Sequence, residues 1–476
     1  MDFLYQNLEQ ALADSIKNGD LPAGSKLPSI RVQCEQQGLS KATVIHAYQR
    51  LEAAGLIESR FKSGFYVCSL PKAHPTPSRP ELSVAPQLVD MSDLIRDIME
   101  RNAAFDIFPQ EQGYMDMPVG ITELNRSIGR ALRRQKCNDH QYYDEPSGLL
   151  ELREHLSERY RRTGCHFSAA DVTITAGCQH ALSLALQLSC EPGDIVAVES
   201  PGFYGVLQLI ESMGLKVLEI PVSSHTGMST EALEQALEEW EIKACIVTPS
   251  FATPSGALMS VSAREHLLSL ASKHDFVVVE DDIYGDLAFG QRIPPLKSMD
   301  RENRVILCGS YSKSVSRELR LGWIIAAEQK QLMRLKMVNL LALNKFTQQG
   351  LVDFLKEGAY EKHLKKQKML LQQQRDQLIQ LLSQEWGELG VIRVSQPQGG
   401  LTLWVELEDS YDLTSVYLKA RSEGILITPG HLFTAQNQYR NCLRLSFAHA
   451  WNEARRDALI RLAYLIKQTQ TDEGTE

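Results

Sequence analysis

The chain has 476 residues, 43% of them hydrophobic, 23% charged and 7% aromatic, with 50 Lys and Arg against 59 Asp and Glu for a formal net charge of −9. That length predicts two or three domains at roughly one per 150 residues, and the ordinary apolar fraction excludes collagen-like, low-complexity and wholly disordered chains. The acidic balance excludes a protein that coats nucleic acid non-specifically, while leaving room for one small DNA-reading module. No stretch approaches the roughly 18 apolar residues of a membrane-spanning helix. The opening Met-Asp-Phe-Leu-Tyr-Gln has no basic segment followed by an apolar core, so a cytoplasmic protein without membrane association is expected. The cysteines at 34, 68, 137, 165, 178, 190, 245, 308 and 442 are odd in number and widely spaced, without a Cys-x-x-Cys pair. That usage suits free thiols in a reducing compartment and predicts no metal site.

In chain order, Leu4, Leu8, Leu12 and Ile16 share one helical face, with Gly19 as a stop. Lys26-Leu27-Pro28-Ser29-Ile30-Arg31 starts a second short helix that Gly38 ends. Ser40 is placed to cap a third, because its hydroxyl can accept a free backbone N–H two or three residues on. Val44, Ala47, Tyr48 and Leu51 form the apolar stripe of that helix, and Gly55 closes it. Leu56 to Arg60 and Phe65 to Val67, around Lys62-Ser63-Gly64, read as two strands and a turn. Three helices and a hairpin make a winged helix–turn–helix, in which the start of the third helix enters the major groove of double-stranded DNA. The expected DNA face is Arg31, Lys41 and Lys62 for phosphates and Ser40 and Thr43 for backbone or base edges, with His46 and Gln49 further along. Residues 1–70 hold four Lys and three Arg against three Asp and four Glu, so the module is neutral, and tight binding calls for two copies acting together.

Pro71, Pro75, Pro77, Pro80 and Pro86 follow. Prolines that dense forbid a regular helix and give an extended, semi-rigid spacer. The expected division is a head over 1–70, a linker over 71–90 and a body over 110–476, its large part roughly 150–340 and its small part roughly 360–476.

The body alternates short apolar runs with helical stretches. The runs are Val172–Thr175, Ile195–Val198, Ala244–Val247, Phe276–Val279 and Val305–Leu307, and Gln179–Leu188 and Ser229–Trp240 are two of the helices. This pattern predicts an α/β fold with a mostly parallel sheet covered on both faces. Ligands bind at the carboxyl ends of such strands, and the chemical residues cluster there. Ser310-Tyr311-Ser312-Lys313 follows one strand, with Arg320 seven residues on. Glu280-Asp281-Asp282-Ile283-Tyr284 ends another. Thr175-Ala176-Gly177-Cys178-Gln179 turns a third into a helix whose free N–H groups suit an anion. Taken singly, Lys313 is a surface charge, Asp281 reads equally as a metal ligand or a helix cap, and Gly177 as a turn glycine. Together, a lysine, a carboxylate and a phosphate cradle at neighbouring strand ends suit pyridoxal 5′-phosphate: the lysine forms a Schiff base and the carboxylate keeps the pyridine nitrogen protonated.

The head, through Leu27-Pro28-Ser29, Ser40-Lys41-Ala42-Thr43-Val44, Leu51 to Ile57 and Ser63 to Val67, resembles the GntR-type DNA-binding domain, with Ile45 where such domains often carry a basic residue. The body is similar to class I/II aminotransferases of fold type I, and the fusion resembles the MocR family of PLP-dependent transcriptional regulators. The resemblance implies Lys313 as the Schiff-base lysine, Asp281 as the pyridine-nitrogen partner and Tyr284 as a donor to the 3′-oxygen. It implies a phosphate cradle of Gly177, Cys178, Gln179, Ser310, Ser312 and Arg320, with Phe203 stacked on the ring. Arg444, in Leu443-Arg444-Leu445-Ser446, matches the grip on a substrate α-carboxylate, a pairing that guanidinium geometry favours. Tyr143, or its neighbour Tyr142, matches the tyrosine that reaches the partner subunit's phosphate in a head-to-tail homodimer. Two departures stand out. Thr253, in Thr253-Pro254-Ser255-Gly256, occupies the place of an Asn that donates to the 3′-oxygen; its shorter side chain is expected to fall short, changing the Schiff-base pKa and weakening turnover while binding persists. Arg317-Glu318 stand where such regulators often have Pro-Gly. The resemblance thus implies a regulator that senses an amino compound through its body; the alternative is an active aminotransferase with a vestigial head.

Overall fold

The computed structural model describes all residues except 1–3, 18–19, 23, 54–55, 61–63, 68–73, 80–84, 90–107, 110–119, 135–142 and 473–476. The chain divides into two compact units, Met1–Ala73 with Arg375–Gln384, and His74–Gln374 with Glu385–Glu476.

In the first unit, helices α1 (Leu4–Lys17), α2 (Ile30–Gln37) and α3 (Lys41–Ala53) precede the antiparallel strands β1 (Ile57–Arg60) and β2 (Gly64–Val67). The second helix starts at Ile30 rather than Lys26. Ser29 is its cap, accepting from Val32 N at 3.3 Å, and Lys26 instead bridges to Tyr66 beside the hairpin. Gly38 closes α2 at φ 63°, a left-handed conformation that glycine adopts at no steric cost. Ser40 Oγ accepts from Thr43 N at 3.2 Å, the expected cap of α3. The core gathers Leu8, Ile16, Leu27, Val44, Leu51 and Val67, each such burial contributing roughly 1.5–3 kcal/mol. Tyr48 stands at its centre, fully buried, with its hydroxyl donating to Pro28 O at 2.9 Å and its ring edge-on to Phe65. Burial pushes its phenol up to about 12.

The second unit is built on eight strands: β3 (Val172–Thr175), β4 (Ile195–Ser200), β5 (Lys216–Ser223), β6 (Gly227–Met228), β7 (Ile242–Val247), β8 (Val277–Asp281), β9 (Val305–Ser310) and β10 (Gly322–Ile325). Their order across the sheet is β3-β10-β9-β8-β7-β4-β5-β6. Pairings from β9 through β5 are parallel; β10 runs against both its neighbours, and β6 against β5. The strands read as unbroken apolar runs because both faces are covered. Val196, Val198, Ile246 and Val279 pack under the helices Cys178–Ser189 and Tyr204–Ser212, whereas Ala197, Cys245, Val247 and Val278 pack under Thr230–Glu239 and Val261–His274. This is the α/β architecture expected.

A smaller antiparallel sheet joins Arg393–Val394, Thr402–Glu406, Cys442–Ser446 and Thr428–Pro429. Residues 74–79 form no helix or strand, and the described part of the proline-rich stretch is bonded to these sheets. Pro75 O accepts from Val394 N at 2.9 Å, Ser78 N and Oγ both donate to the Glu406 carboxylate at 2.7 Å, and Gln87 pairs with Val217 of β5. Among the described residues no helix is long and apolar enough to cross a membrane, and the cysteines are free thiols.

Candidate cofactor site and DNA-binding head

Strand register brings the predicted residues to one edge. Asp281 ends β8 opposite Cys308 of β9, and Ser310 ends β9 opposite Gly322 of β10, which in turn faces Thr175 of β3. A Cβ on Gly322 would stand 2.6 Å from the Gly177 carbonyl carbon, so a glycine is what lets these strands close on the turn after β3.

That turn is a cradle. Gly177 adopts φ 86° and leads into the 12-residue helix Cys178–Ser189, whose first N–H groups have no partner within the helix. A Cβ on Gly177 would come within 3.1 Å of the Arg320 guanidinium, whose Nη2 donates to Ala176 O at 3.1 Å. Ser310 Oγ lies 2.7 Å from Ser312 Oγ and 3.0 Å from Leu321 O. Gln179 is engaged elsewhere, its Nε2 donating to Gly205 O at 2.7 Å. Phe203 precedes the helix Tyr204–Ser212, its ring 5.0 Å from that of Tyr204 and filling the space that a side chain at Gly205 would need. A helix N-terminus, an arginine and hydroxyls at one turn fit a phosphate monoester.

Asp281 is buried, and Oδ1 accepts from Cys178 Sγ at 3.1 Å and from Ile283 N at 3.2 Å. Burial raises its carboxyl to about 6, against the lowering by these donors and by Lys313. Lys313 follows β9. Burial, then the Arg317 and Arg444 charges, depress its amine to about 7, opposed by Asp281. The sign is that of a cation removed from water: the neutral, nucleophilic amine is the form present above that pH. Capture of pyridoxal 5′-phosphate by the cofactor-free chain, followed by visible absorbance, is therefore expected to quicken as pH rises through about 7 and to level off above it. A rate still climbing at pH 9 to 10 would contradict this environment.

Tyr284 OH lies 3.1 Å from Thr253 Oγ1, which is also 3.4 Å from Thr402 Oγ1. Thr253 thus meets the tyrosine hydroxyl, and burial pushes that phenol up to about 12. Arg444, 2% exposed on the strand Cys442–Ser446, donates to Thr428 Oγ1 at 3.2 Å and lies 5.3 Å from the Phe433 ring centre. Tyr143 is 85% exposed.

Sequence reasoning missed several groups. Glu199, at the end of β4, accepts from Thr248 N at 3.0 Å through Oε2; its buried Oε1 has no partner, and burial lifts its carboxyl to about 8. Glu219 of β5 accepts from Ser200, Thr434 and Ala435 N. Behind the lysine loop, Arg159 and Arg292 pair with Asp286, and Arg292 also with Asp282, among Tyr160, Tyr311, Trp323 and Tyr360. The helix Ala359–Glu385 adjoins Lys313 here: Tyr360 OH donates to Ser314 Oγ at 3.2 Å, His363 Nε2 lies 2.7 Å from Ser314 O, and Gln367 Nε2 donates to Lys313 O at 3.4 Å.

In the head, Arg31, Ser40 and Lys41 are exposed and Thr43 is half-buried at the start of α3. Thr43 Oγ1 lies 2.8 Å from Ser40 Oγ, and Arg31 pairs with Glu35 at 3.1 Å. Lys62 lies outside the described residues.

A doubly covered, mostly parallel sheet with a half-buried lysine, a carboxylate and an anion cradle at its strand ends defines a fold-type I, pyridoxal-phosphate-dependent aminotransferase body, here carried with a winged helix–turn–helix head. Comparisons agree. The family of class I and II aminotransferases matches residues 110–462, and the gntR family of bacterial regulatory proteins matches residues 4–67. The HTH-type transcriptional regulator YjiR of Escherichia coli is 35% identical over 97% of this chain and 98% of its own, and YdcR of the same organism is 32% identical over 98% and 99%. The crystal structure of Pyrococcus horikoshii kynurenine aminotransferase with PMP superposes with a TM-score of 0.72 at 29% identity, over 80% of this chain and 95% of that one. LysN, the α-aminoadipate aminotransferase of Thermus thermophilus, solved with N-(5′-phosphopyridoxyl)-L-leucine, gives 0.70 at 27% identity over 79% and 95%. The chain belongs to the MocR-type regulators of the GntR family, in which a DNA-binding head is fused to an aminotransferase-like body whose cofactor is pyridoxal 5′-phosphate.

Proposed function

We propose that this regulator reads a small amino compound bearing a carboxylate and transmits its presence to an operator bound by the head. Pyridoxal 5′-phosphate, when bound, would supply an aldehyde reactive toward primary amines and a ring that acts as an electron sink. Lys313 would hold the aldehyde carbon through its amine, which the surroundings keep near neutrality. Asp281 keeps the ring nitrogen protonated. Gly177, Cys178 and Gln179, through their backbone, hold the phosphate with Ser310, Ser312 and Arg320. Phe203 covers the ring face, and Tyr284, with Thr253 against its hydroxyl, serves the 3′-oxygen. Arg444 grips the ligand carboxylate. Two copies pair head to tail, Tyr143 reaching the partner's phosphate, and Arg31, Ser40, Lys41, Thr43 and Lys62 face the operator.

The observation that carries this reading is the gathering of Lys313, Asp281 and the Gly177 cradle at the strand ends of one sheet, on a chain that also matches the gntR head over residues 4–67. The test follows visible absorbance of the purified protein while common amino acids and amines are added, alongside binding of DNA from its own promoter region. A spectral change with one amino compound, accompanied by altered DNA binding that is lost when residues 1–73 are removed, is expected. Steady transfer of the amino group to a 2-oxo acid with no effect on DNA would assign the chain to catalysis instead.

A further inference from the structure

Cys178 opens the cradle helix, where its backbone N–H faces the turn, yet its side chain serves another partner. The thiol donates to Asp281 Oδ1 at 3.1 Å, across 103 residues of sequence, and both residues are 6% exposed. Ile283 N supplies a second donor to the same oxygen. Burial beside Asp281 and Cys308 holds the thiol well above its ordinary range, so it stays protonated and remains a donor. The charged and titratable groups facing Asp281 are Cys178 from the helix, Cys308 from β9, Glu199 from β4, Tyr284, its neighbour Asp282 and Lys313. Cys178 gives Asp281 a side-chain hydrogen bond, and the Lys313 charge acts on the same carboxylate.

We propose that Cys178 is a positioning residue whose thiol sets how strongly Asp281 holds the proton of the cofactor's ring nitrogen. The proposal rests on the reading of Asp281 as that nitrogen's partner. A carboxylate that accepts hydrogen bonds is a weaker base, and a thiol is a weak donor compared with a hydroxyl. Cys178 therefore leaves Asp281 more basic than a serine would and less basic than an alanine would. A more basic Asp281 draws the proton away from the ring, the ring withdraws fewer electrons, and the nitrogen of Lys313 bonded to it becomes more basic.

The experiment titrates the visible band of the cofactor-loaded full chain against pH in the native protein, Cys178→Ala, Cys178→Ser and Asp281→Asn, with circular dichroism and cofactor content as controls. The midpoint is expected to rise by roughly half a unit to one unit in Cys178→Ala and to fall below the native value in Cys178→Ser. If Cys178→Ala fails to hold cofactor, the serine variant decides alone, since it keeps shape and strengthens the donor. Midpoints unchanged in the cysteine variants but moved in Asp281→Asn overturn the role of the thiol and leave the ring-nitrogen assignment standing. A midpoint unmoved by Asp281→Asn overturns both.

Discussion

Lys313→Ala is expected to abolish the visible absorbance band of the cofactor-loaded protein and all response to amino compounds, while operator binding by the head persists. The cause is local. The half-buried side chain stands three residues past the end of β9, where the Arg317, Arg444 and Asp281 charges set its electrostatics. No other lysine in the described structure lies both after a sheet strand and against Asp281, so nothing substitutes for its nitrogen. Spectra at matched cofactor concentration, with gel-shift binding to promoter DNA, read the two effects separately. A variant that keeps the band would remove Lys313 from the chemistry altogether.

Arg444→Ala carries the second large effect, a loss of ligand affinity with the cofactor band retained. Arg444 is 2% exposed and anchored between Thr428 and the Phe433 ring. A buried guanidinium that pairs with a carboxylate contributes through charge and through two parallel hydrogen bonds. Losing one side of such a pair costs about 2–5 kcal/mol, or roughly thirty-fold to several-thousand-fold in the dissociation constant of an amino acid. Arg444→Lys is expected to recover little, because an ammonium cannot form the fork. The same substitution should barely alter binding of a simple amine that lacks a carboxylate. Equal losses for amine and amino acid would place Arg444 in the scaffold and not at the ligand.

Much of this was legible from sequence for a physical reason. The head depends on local signals, namely Ser29, Gly38 and Ser40 at helix ends and a leucine–valine stripe between them. The site residues stand where apolar runs stop, so Asp281, Ser310 and Gly177 announce themselves as polar or small residues ending buried strands. What escaped was non-local. Gly322–Ile325 is not among the strands the sequence predicts, because four residues running antiparallel between β3 and β9 have no crossover helix to mark them. Lys216–Ser223 lacks an unbroken apolar run because Glu219 and Pro221 interrupt it, and the partners that satisfy the buried Glu219, among them Ser200, Thr434 and Ala435, are distant in sequence. The grouping of Arg159, Asp282, Asp286, Arg292 and Tyr360 spans two hundred residues and has no periodicity to betray it. Cys178 was singled out for its backbone, and its bond to Asp281 could be seen only in three dimensions.

The docked proline stretch changes what the tether is mechanically. Its early residues are fastened to the smaller sheet through Pro75 and Ser78, and Gln87 is fastened to β5 of the larger one. Eight residues lie between Ser78 and Gln87, a span of at most roughly 30 Å when drawn straight. Fastenings at both ends limit how far the two sheets can slide past one another before the hydrogen bonds at Pro75, Ser78 or Gln87 give way.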